Sequence, residues 1–229
     1  MSSTTGLVKT PQQVRSKRSL ALVLEAARVV LDRDGIHDFT MTGVATEAGV
    51  SIGGIYRRFE SKDALLRVVK DREFTRVEEA LAARLGAAQP SLVAVVREFV
   101  TCLVEEFSAA ERLFQSLMAA SGTDEEMHAR GVAWLDTVFE AFRTAAMRDA
   151  AAIRHEDPDV ALRMAFQLIS GVLLRRPVSG TYGGEVFTGT WEQASVELQT
   201  AALAYLTAGG TAKASRKAAS KKTAATRRS

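Results

Sequence analysis

The chain of 229 residues contains one cysteine, Cys102, and no asparagine. A single thiol cannot close an internal disulfide or build a multi-thiolate zinc site. Without asparagine there is no acceptor for N-glycosylation. Proline is scarce, with four residues, and aromatic residues make up only 7%, so little in the sequence interrupts helix. The longest uncharged run, residues 198–212, is too short and too polar to span a bilayer, which excludes a membrane-spanning role. Arg15, Lys17 and Arg18 precede the apolar stretch 20–24 in the manner of a secretory leader, but Glu25 and Arg28 break the run too early. The expected location is the cytoplasm.

What is present is ordinary for a soluble globular chain: 47% hydrophobic and 25% charged residues. The length allows one large domain or two small ones around a real core, and abundant alanine and leucine favour helix. The net charge of +3 hides an uneven distribution. Residues 1–76 carry thirteen basic against nine acidic side chains, residues 77–208 ten against eighteen, and residues 209–229 seven against none. Basic ends around an acidic middle suggest segments with different partners, one of them a polyanion.

Apolar spacing predicts helices throughout. Leu20, Leu24, Ala27 and Leu31 form a stripe from Ser19 to Asp34, which Gly35 stops. Thr40 caps a short second helix whose inward residues are Met41, Val44, Ala45 and Ala48, and Gly49 ends it. Ser51 caps a third helix with Ile55 and Phe59 buried, and Ser61 a fourth that runs toward Leu85. Beyond Pro90 the pattern predicts longer helices over 91–107, 111–119, 125–153, 158–175 and 191–207. Neither a period-two strand nor a solenoid repeat is visible. The fold reads as all-α.

Residues 40–51, Thr-Met-Thr-Gly-Val-Ala-Thr-Glu-Ala-Gly-Val-Ser, spell a helix, a three-residue turn and a new cap. That is the arrangement of a helix-turn-helix. On the third helix Ile52 and Tyr56 are i, i+4 neighbours, as are Gly53 and Arg57, and both pairs lie off the Ile55/Phe59 face. They form a surface suited to a major groove. Gly53 and Gly54 each weaken the helix by up to about 1 kcal/mol against alanine, which close approach of backbone to DNA would offset. Tyr56 offers a hydroxyl to phosphate, Arg57 and Arg58 offer charge or a guanine fork, and Lys62 a cation beside free backbone N–H groups. Spacing alone also fits an ordinary helical hairpin with solvated charges.

Residues 39–66, Phe-Thr-Met-Thr-Gly-Val-Ala-Thr-Glu-Ala-Gly-Val-Ser-Ile-Gly-Gly-Ile-Tyr-Arg-Arg-Phe-Glu-Ser-Lys-Asp-Ala-Leu-Leu, resemble the DNA-binding signature of the TetR family of transcriptional regulators. The likeness extends over about residues 15–70, without gaps. It implies an N-terminal three-helix helix-turn-helix domain, a linking fourth helix and a C-terminal helical ligand-binding and dimerisation domain. It further implies a homodimeric repressor that binds a palindromic operator in double-stranded DNA and is associated with the nucleoid. By matching position, Thr40, Tyr56 and Lys62 would hold phosphates. Thr42, Ile52, Gly53, Gly54 and Arg57 would face base edges or the adjoining backbone, and Ser51 and Arg58 complete the set of expected DNA-binding residues. Two positions depart from the family pattern: Gly43 sits inside the second helix, and Gly54 replaces the more usual threonine or alanine. Base readout then rests more on Thr42 and Arg57. With neither asparagine nor glutamine in the recognition helix, bidentate reading of adenine is closed to it.

The resulting division is a flexible N-terminus over 1–14, the helix-turn-helix domain over 15–65, a ligand and dimerisation domain over 66–208, and a disordered basic tail over 209–229. In the resembled family the last two helices form a four-helix bundle across the dimer axis. Val160, Met164, Leu168, Ile169, Val172 and Leu173 on one helix, and Trp191, Ala194, Val196, Leu198, Ala202, Leu203 and Tyr205 on the other, are apolar on more than one face, as that role needs; burial in a monomer core is the other reading. The glycine-rich residues 176–190 lack a dinucleotide-binding frame and read as a connection. Candidates for lining a small apolar effector's cavity are Phe99, Cys102, Leu103, Phe107, Phe114, Met118, Trp134, Phe139, Phe142, Met147 and Phe166.

Nothing argues for an enzyme or a cofactor. His37, His128 and His155 fall in no H-E-x-x-H frame, and the acids around His155 favour a helix start over a metal site. The tail, lysine- and alanine-rich like those of linker histones, would add affinity for DNA through counterion release or serve solubility. Two rival functions follow: a tail-driven architectural DNA binder with little sequence preference, and a helical enzyme or carrier with an incidental helix-turn-helix.

Overall fold

The computed structural model describes residues 11–182 and 189–208. Among the described residues there are only helices: α1 (Pro11–Asp38), α2 (Met41–Ala48), α3 (Ile52–Tyr56), α4 (Lys62–Ala87), α5 (Leu92–Ala109), α6 (Glu111–Ser121), α7 (Glu125–Ala146), a 3-10 segment (Met147–Ala152), α8 (Pro158–Tyr182) and α9 (Trp191–Thr207). The fold is all-α, an N-terminal helix-turn-helix followed by a helical C-terminal part. The basic tail over 209–229, residues 1–10 of the N-terminus and residues 183–188 of the expected connection lie outside the described residues. The chain forms two compact units. The first comprises residues up to Thr75 together with Ala110–Gly131, and the second Arg76–Ala109 with the residues from Val132 onward.

In the first unit α1 starts at Pro11, earlier than the Ser19 stripe suggests, because proline is well suited to the first helical position. Gly35, with φ 77°, breaks its far end. The short helices are fixed by the caps their sequence predicts. Thr40 Oγ1 accepts from Gly43 N at 3.0 Å, Ser51 Oγ from Gly54 N at 3.1 Å and Ser61 Oγ from Ala64 N at 3.1 Å. Gly49 closes α2 in the left-handed region at φ 64°. Val23, Ala27, Val30 and Leu31 of α1 are buried with Val44, Ile55, Phe59 and Leu65, so each short helix contributes its predicted apolar face. Ala48, read as an inward residue, is only half-buried.

α6 belongs to this unit. Its cap residue Ala110 has no side chain to offer. Asp32 of α1 supplies the carboxylate instead, accepting from Leu113 N at 3.2 Å, where it also opposes the positive end of the helix dipole. Arg112 donates to the Arg33 carbonyl at 2.9 Å and Ser116 to the Leu31 carbonyl at 3.4 Å. A helix whose first turn is completed by another helix packs with it.

In the second unit α9 packs on α5 and α8, while α5 buries residues on every turn from Leu92 to Phe107. The helix expected over 125–153 ends at Ala146 and tightens into the 3-10 segment. Asp149, at φ −127° and ψ 49°, leaves helical geometry so that its carboxylate caps α5, accepting from Leu92 N at 2.9 Å. Arg148 beside it donates to the Leu85 carbonyl at 2.7 Å and the Ala145 carbonyl at 3.1 Å. Tertiary caps thus override a continuous helical pattern. α8 continues through Pro177 to Tyr182 and does not stop near residue 175, so the first part of the expected connection is helix.

Candidate nucleic-acid interface

Ten residues were expected to meet DNA, and the structure sorts them by role. Thr40, Thr42, Ser51, Ile52, Gly53, Tyr56, Arg57 and Arg58 are exposed on the first unit, while Gly54 is buried and Lys62 half-buried. Tyr56 is 54% exposed on a helix whose neighbour Ile55 is completely buried. Such an aromatic ring bearing a hydroxyl on a solvated face is placed to meet a partner rather than a core.

The two glycines of α3 differ. A Cβ on Gly53 would meet nothing within 4 Å, so the backbone there is open to a partner. A Cβ on Gly54 would lie 3.2 Å from Ser51 Oγ and 3.6 Å from a guanidinium nitrogen of Arg57. Gly54 therefore makes room for the cap and for Arg57, and presents no base-facing surface of its own. Gly43 has a related reason: a Cβ there would stand 3.1 Å from Thr40 Oγ1, the capping atom of its own helix. Lys62 gives one N–H to the Ile36 carbonyl at 3.0 Å and lies 5.4 Å from the Phe39 ring centroid. This ties the start of α4 to the end of α1 and holds the ammonium in place, with two donors left over.

The cations of this unit differ in their partners: Lys62, Lys70 and Arg112 donate to backbone carbonyls, and the others divide by whether a carboxylate meets them. Arg28, Arg33, Arg67, Arg72 and Arg130 are each paired with a carboxylate. Lys17, Arg18, Arg57 and Arg58 have no carboxylate partner among the described residues, although Arg58 donates to the Gly54 carbonyl at 3.3 Å. Three of these four flank the recognition helix or a cleft beside it: Arg57 and Arg58 follow Tyr56, and Lys17 shares a cleft with Arg58. Unneutralised charge held beside an exposed helix suits a polyanion.

A second feature escaped the sequence reading. Lys70 of α4 is 1% exposed and donates to Ser121 Oγ at 2.6 Å and to the Met127 carbonyl, with its ammonium 5.2 Å from the Phe74 ring centroid. Arg67 pairs with Asp124 at 2.9 Å and Asp71 with Arg130 at 2.6 Å. Burial pushes the Lys70 ammonium down to about 8, Arg130 adds to that, and Asp124 and Asp71 oppose it. Asp124 itself is held below the usual carboxylate range by the Met127 N–H and by Arg67. These groups pin the first half of α4 to the turn between α6 and α7. The signal lay in the spacing, since position 70 falls four residues from both Leu66 and Phe74 on the buried stripe.

Of the eleven cavity candidates, Phe114 and Met118 belong to the first unit and the other nine to the second. Phe99 stacks on Phe142 with centroids 4.5 Å apart and meets Phe166 at 6.1 Å, Phe139 meets Phe166 at 5.4 Å, and Phe107 meets Trp134 edge-on at 6.4 Å. Cys102 and Leu103 are buried with them, and Met147 is half-buried. A groove of about 520 Å³ in the second unit is bordered instead by Ala82, Leu85, Gly86, Ala141, Ala145 and Arg148, with no candidate among its lining. Among the described residues no set of His, Cys, Asp and Glu is gathered as a metal site would need. His155 lies against Tyr205, with ring centroids 5.6 Å apart.

Comparison with known proteins agrees with this geometry. Residues 23–69 match the family described as bacterial regulatory proteins, tetR family. An uncharacterized HTH-type transcriptional regulator in the dhlA 5′ region of Xanthobacter autotrophicus is 30% identical over 122 residues, which are 51% of this chain and 58% of that protein. The match thus spans little more than half the relative's length. Among solved structures, a TetR transcription regulator from Haloarcula marismortui shares the fold with a TM-score of 0.67 at 17% identity, over 84% of this chain and 98% of that one. The fatty acid degradation regulator FadR from Bacillus halodurans gives 0.62 at 15% identity, over 81% and 94%. Fold and family match together place this chain's helix-turn-helix among those of bacterial regulatory proteins. Residues 23–69 thus carry a helix-turn-helix of the tetR type, and the chain shares the fold of TetR regulators. Among the described residues no helix is long and apolar enough to cross a membrane.

Proposed function

We propose that the chain is a homodimeric, DNA-binding transcriptional repressor released by a small apolar ligand. The observation that carries the DNA-binding part is the exposed face of α3, where Ile52, Gly53, Tyr56 and Arg57 stand in solvent while Ile55 and Phe59 anchor the helix. Thr40, Tyr56 and Lys62 would position the backbone, and Thr42 and Arg57 would read base edges in the major groove.

Dimerisation through α8 and α9 is supported by Val160, Met164 and Leu168, exposed at successive i, i+4 positions of α8, and by Val196, exposed on α9. An exposed stripe of large apolar residues along a helix marks an association surface. The phenylalanine cluster of the second unit supports an apolar effector. The ligand would act by favouring a conformation in which the spacing of the two recognition helices no longer fits the operator. α4, which begins in the first unit and ends in the second, would carry that change.

Selection of bound fragments from randomised and genomic DNA at near-physiological salt tests this. A palindromic enriched site, with binding weakened by Tyr56→Phe and lost on Arg57→Ala, is the expected result. Enrichment without a motif would favour tail-driven binding over operator recognition, and no enrichment would remove the DNA-binding reading.

A further inference from the structure

Beside the recognition helix the first unit has a cleft of about 360 Å³ lined by Ser16, Lys17, Leu20, Arg58, Phe59 and Val68. Two of the six are cations and none is an acid. Among the described residues neither Lys17 nor Arg58 has a carboxylate partner, whereas the arginines at 28, 33, 67, 72 and 130 in the same unit do. Two like charges facing one cleft repel each other unless an anion lies between them. Phe59 is buried and Leu20 half-buried, so the cleft has an apolar floor that limits competing water. Arg58 is also steered: one N–H goes to the Gly54 carbonyl, which ties its guanidinium to α3 and leaves its other donors over.

We propose that Lys17 and Arg58, with the Ser16 hydroxyl, clamp one DNA backbone phosphate outside the bases that α3 reads, so that α1 is part of the DNA interface. The proposal rests on the DNA-binding reading above and adds a contact to it. The ligand chemistry is a phosphodiester monoanion, recognised by charge and by three donors from α1 and the turn after α3. Such a contact fixes register and carries no sequence information.

The test uses the full chain and a fragment that it selects, with affinity measured between 50 and 200 mM salt. Losing one phosphate contact should lower affinity about five-fold near 0.15 M salt and reduce the slope of log affinity against log salt by about 0.9. Lys17→Ala should do this equally on selected and unrelated sequences, leaving the preference between them intact, and Lys17→Arg should restore most of it. Because both cations serve one phosphate, the double variant Lys17→Ala, Arg58→Ala should reduce the slope by about 0.9 as well, not by twice that. Ethylation of a single phosphate should block the unsubstituted chain and make no difference to Lys17→Ala. An unchanged slope in Lys17→Ala, while Arg57→Ala still abolishes recognition, overturns the clamp and leaves the regulator standing. Loss of sequence preference in Lys17→Ala, with an unchanged helical melt, overturns it in favour of base contact. Inorganic phosphate bound at the cleft with no effect of Lys17→Ala on DNA overturns it in favour of a free-anion site. If the unsubstituted chain binds no DNA, both readings fall together.

Discussion

Lys70 allows the energetics of the first unit to be tested by pH. Its ammonium is enclosed by α4, α6 and α7 at 1% exposure, and its pKa falls from 10.5 to about 8, first through burial and then through Arg130. The unfolded chain leaves this lysine at its ordinary value. Between the two values the unfolded state therefore binds more protons, and stability must rise with pH across that window. A shift from 10.5 to about 8 corresponds to about 3 kcal/mol, at 1.36 kcal/mol per pH unit. Seen from neutral pH, the protonated amine opposes folding by that amount, and its bonds to Ser121 and Met127 only limit the loss. Lys70→Met keeps the length of the side chain and removes the titration. Ser121 Oγ still donates to the Leu117 carbonyl at 2.7 Å, so little is orphaned. Urea unfolding followed by circular dichroism at pH 7.5, 9 and 10.5 should show the wild-type chain gaining about 3 kcal/mol relative to Lys70→Met. At pH 7.5 the variant should be as stable as the parent or more so, as when buried charges are replaced by apolar groups. Parallel stability curves from pH 7.5 to 10.5 would refute the argument, because the buried amine would then have the same proton affinity folded and unfolded.

Four further expectations follow from named contacts. Thr40→Ala should cost about 1 kcal/mol, and Gly43→Ala should be near neutral, because its helix gain is offset by crowding of the Thr40 hydroxyl; in the Thr40→Ala background Gly43→Ala should gain about 1 kcal/mol, and additivity in urea unfolding would refute the clash. Gly49→Ala, at φ 64°, should destabilise by about 1–2 kcal/mol, so an unchanged melting temperature would refute the left-handed turn. The Cys102 thiol is pushed up to about 11 by burial, so a disulfide reagent at pH 8 should leave it unmodified until denaturant is added. If α8 forms the proposed dimer seam, Met164→Glu should give a folded monomer in sedimentation, and an unchanged mass would place the seam elsewhere.

The sequence makes legible whatever is decided within a few residues. Thr40, Ser51 and Ser61 cap the helices they were expected to cap, Gly49 takes the left-handed turn, and Ile55 and Phe59 are buried as a pair. Each depends on a neighbour three or four positions away, a distance that a periodic pattern encodes. Features that depend on distant partners were not legible. Asp149 breaks a helix in order to cap one that starts at Leu92, Asp32 caps α6 from α1, and Lys70 is buried because Ser121 and Met127 meet it. All three are polar groups that complete the hydrogen bonding of another element; local spacing places Lys70 on a buried stripe, but no local rule announces the partners of any of the three.

The same distinction explains why net charge alone was a poor guide to the interface. Residues 1–76 carry a modest excess of basic over acidic side chains, and the arginines that pair with Glu25, Glu47, Asp124 and Asp71 contribute little free field. The partner-seeking charge lies on Lys17, Arg18, Arg57, Arg58 and Lys62, to which the fold brings no carboxylate among the described residues. Gly53 sharpens the point. Its Cβ position is open, so Gly53→Ala should stabilise α3 by up to about 1 kcal/mol. A glycine held where alanine would fold better needs a reason outside the folded chain, and close approach of a nucleic-acid backbone supplies one. If Gly53→Ala raises the melting temperature and weakens binding to the selected fragment, that reason stands. If it raises the melting temperature and leaves binding unchanged, the glycine has no role at the interface, and readout must rest on Thr42 and Arg57.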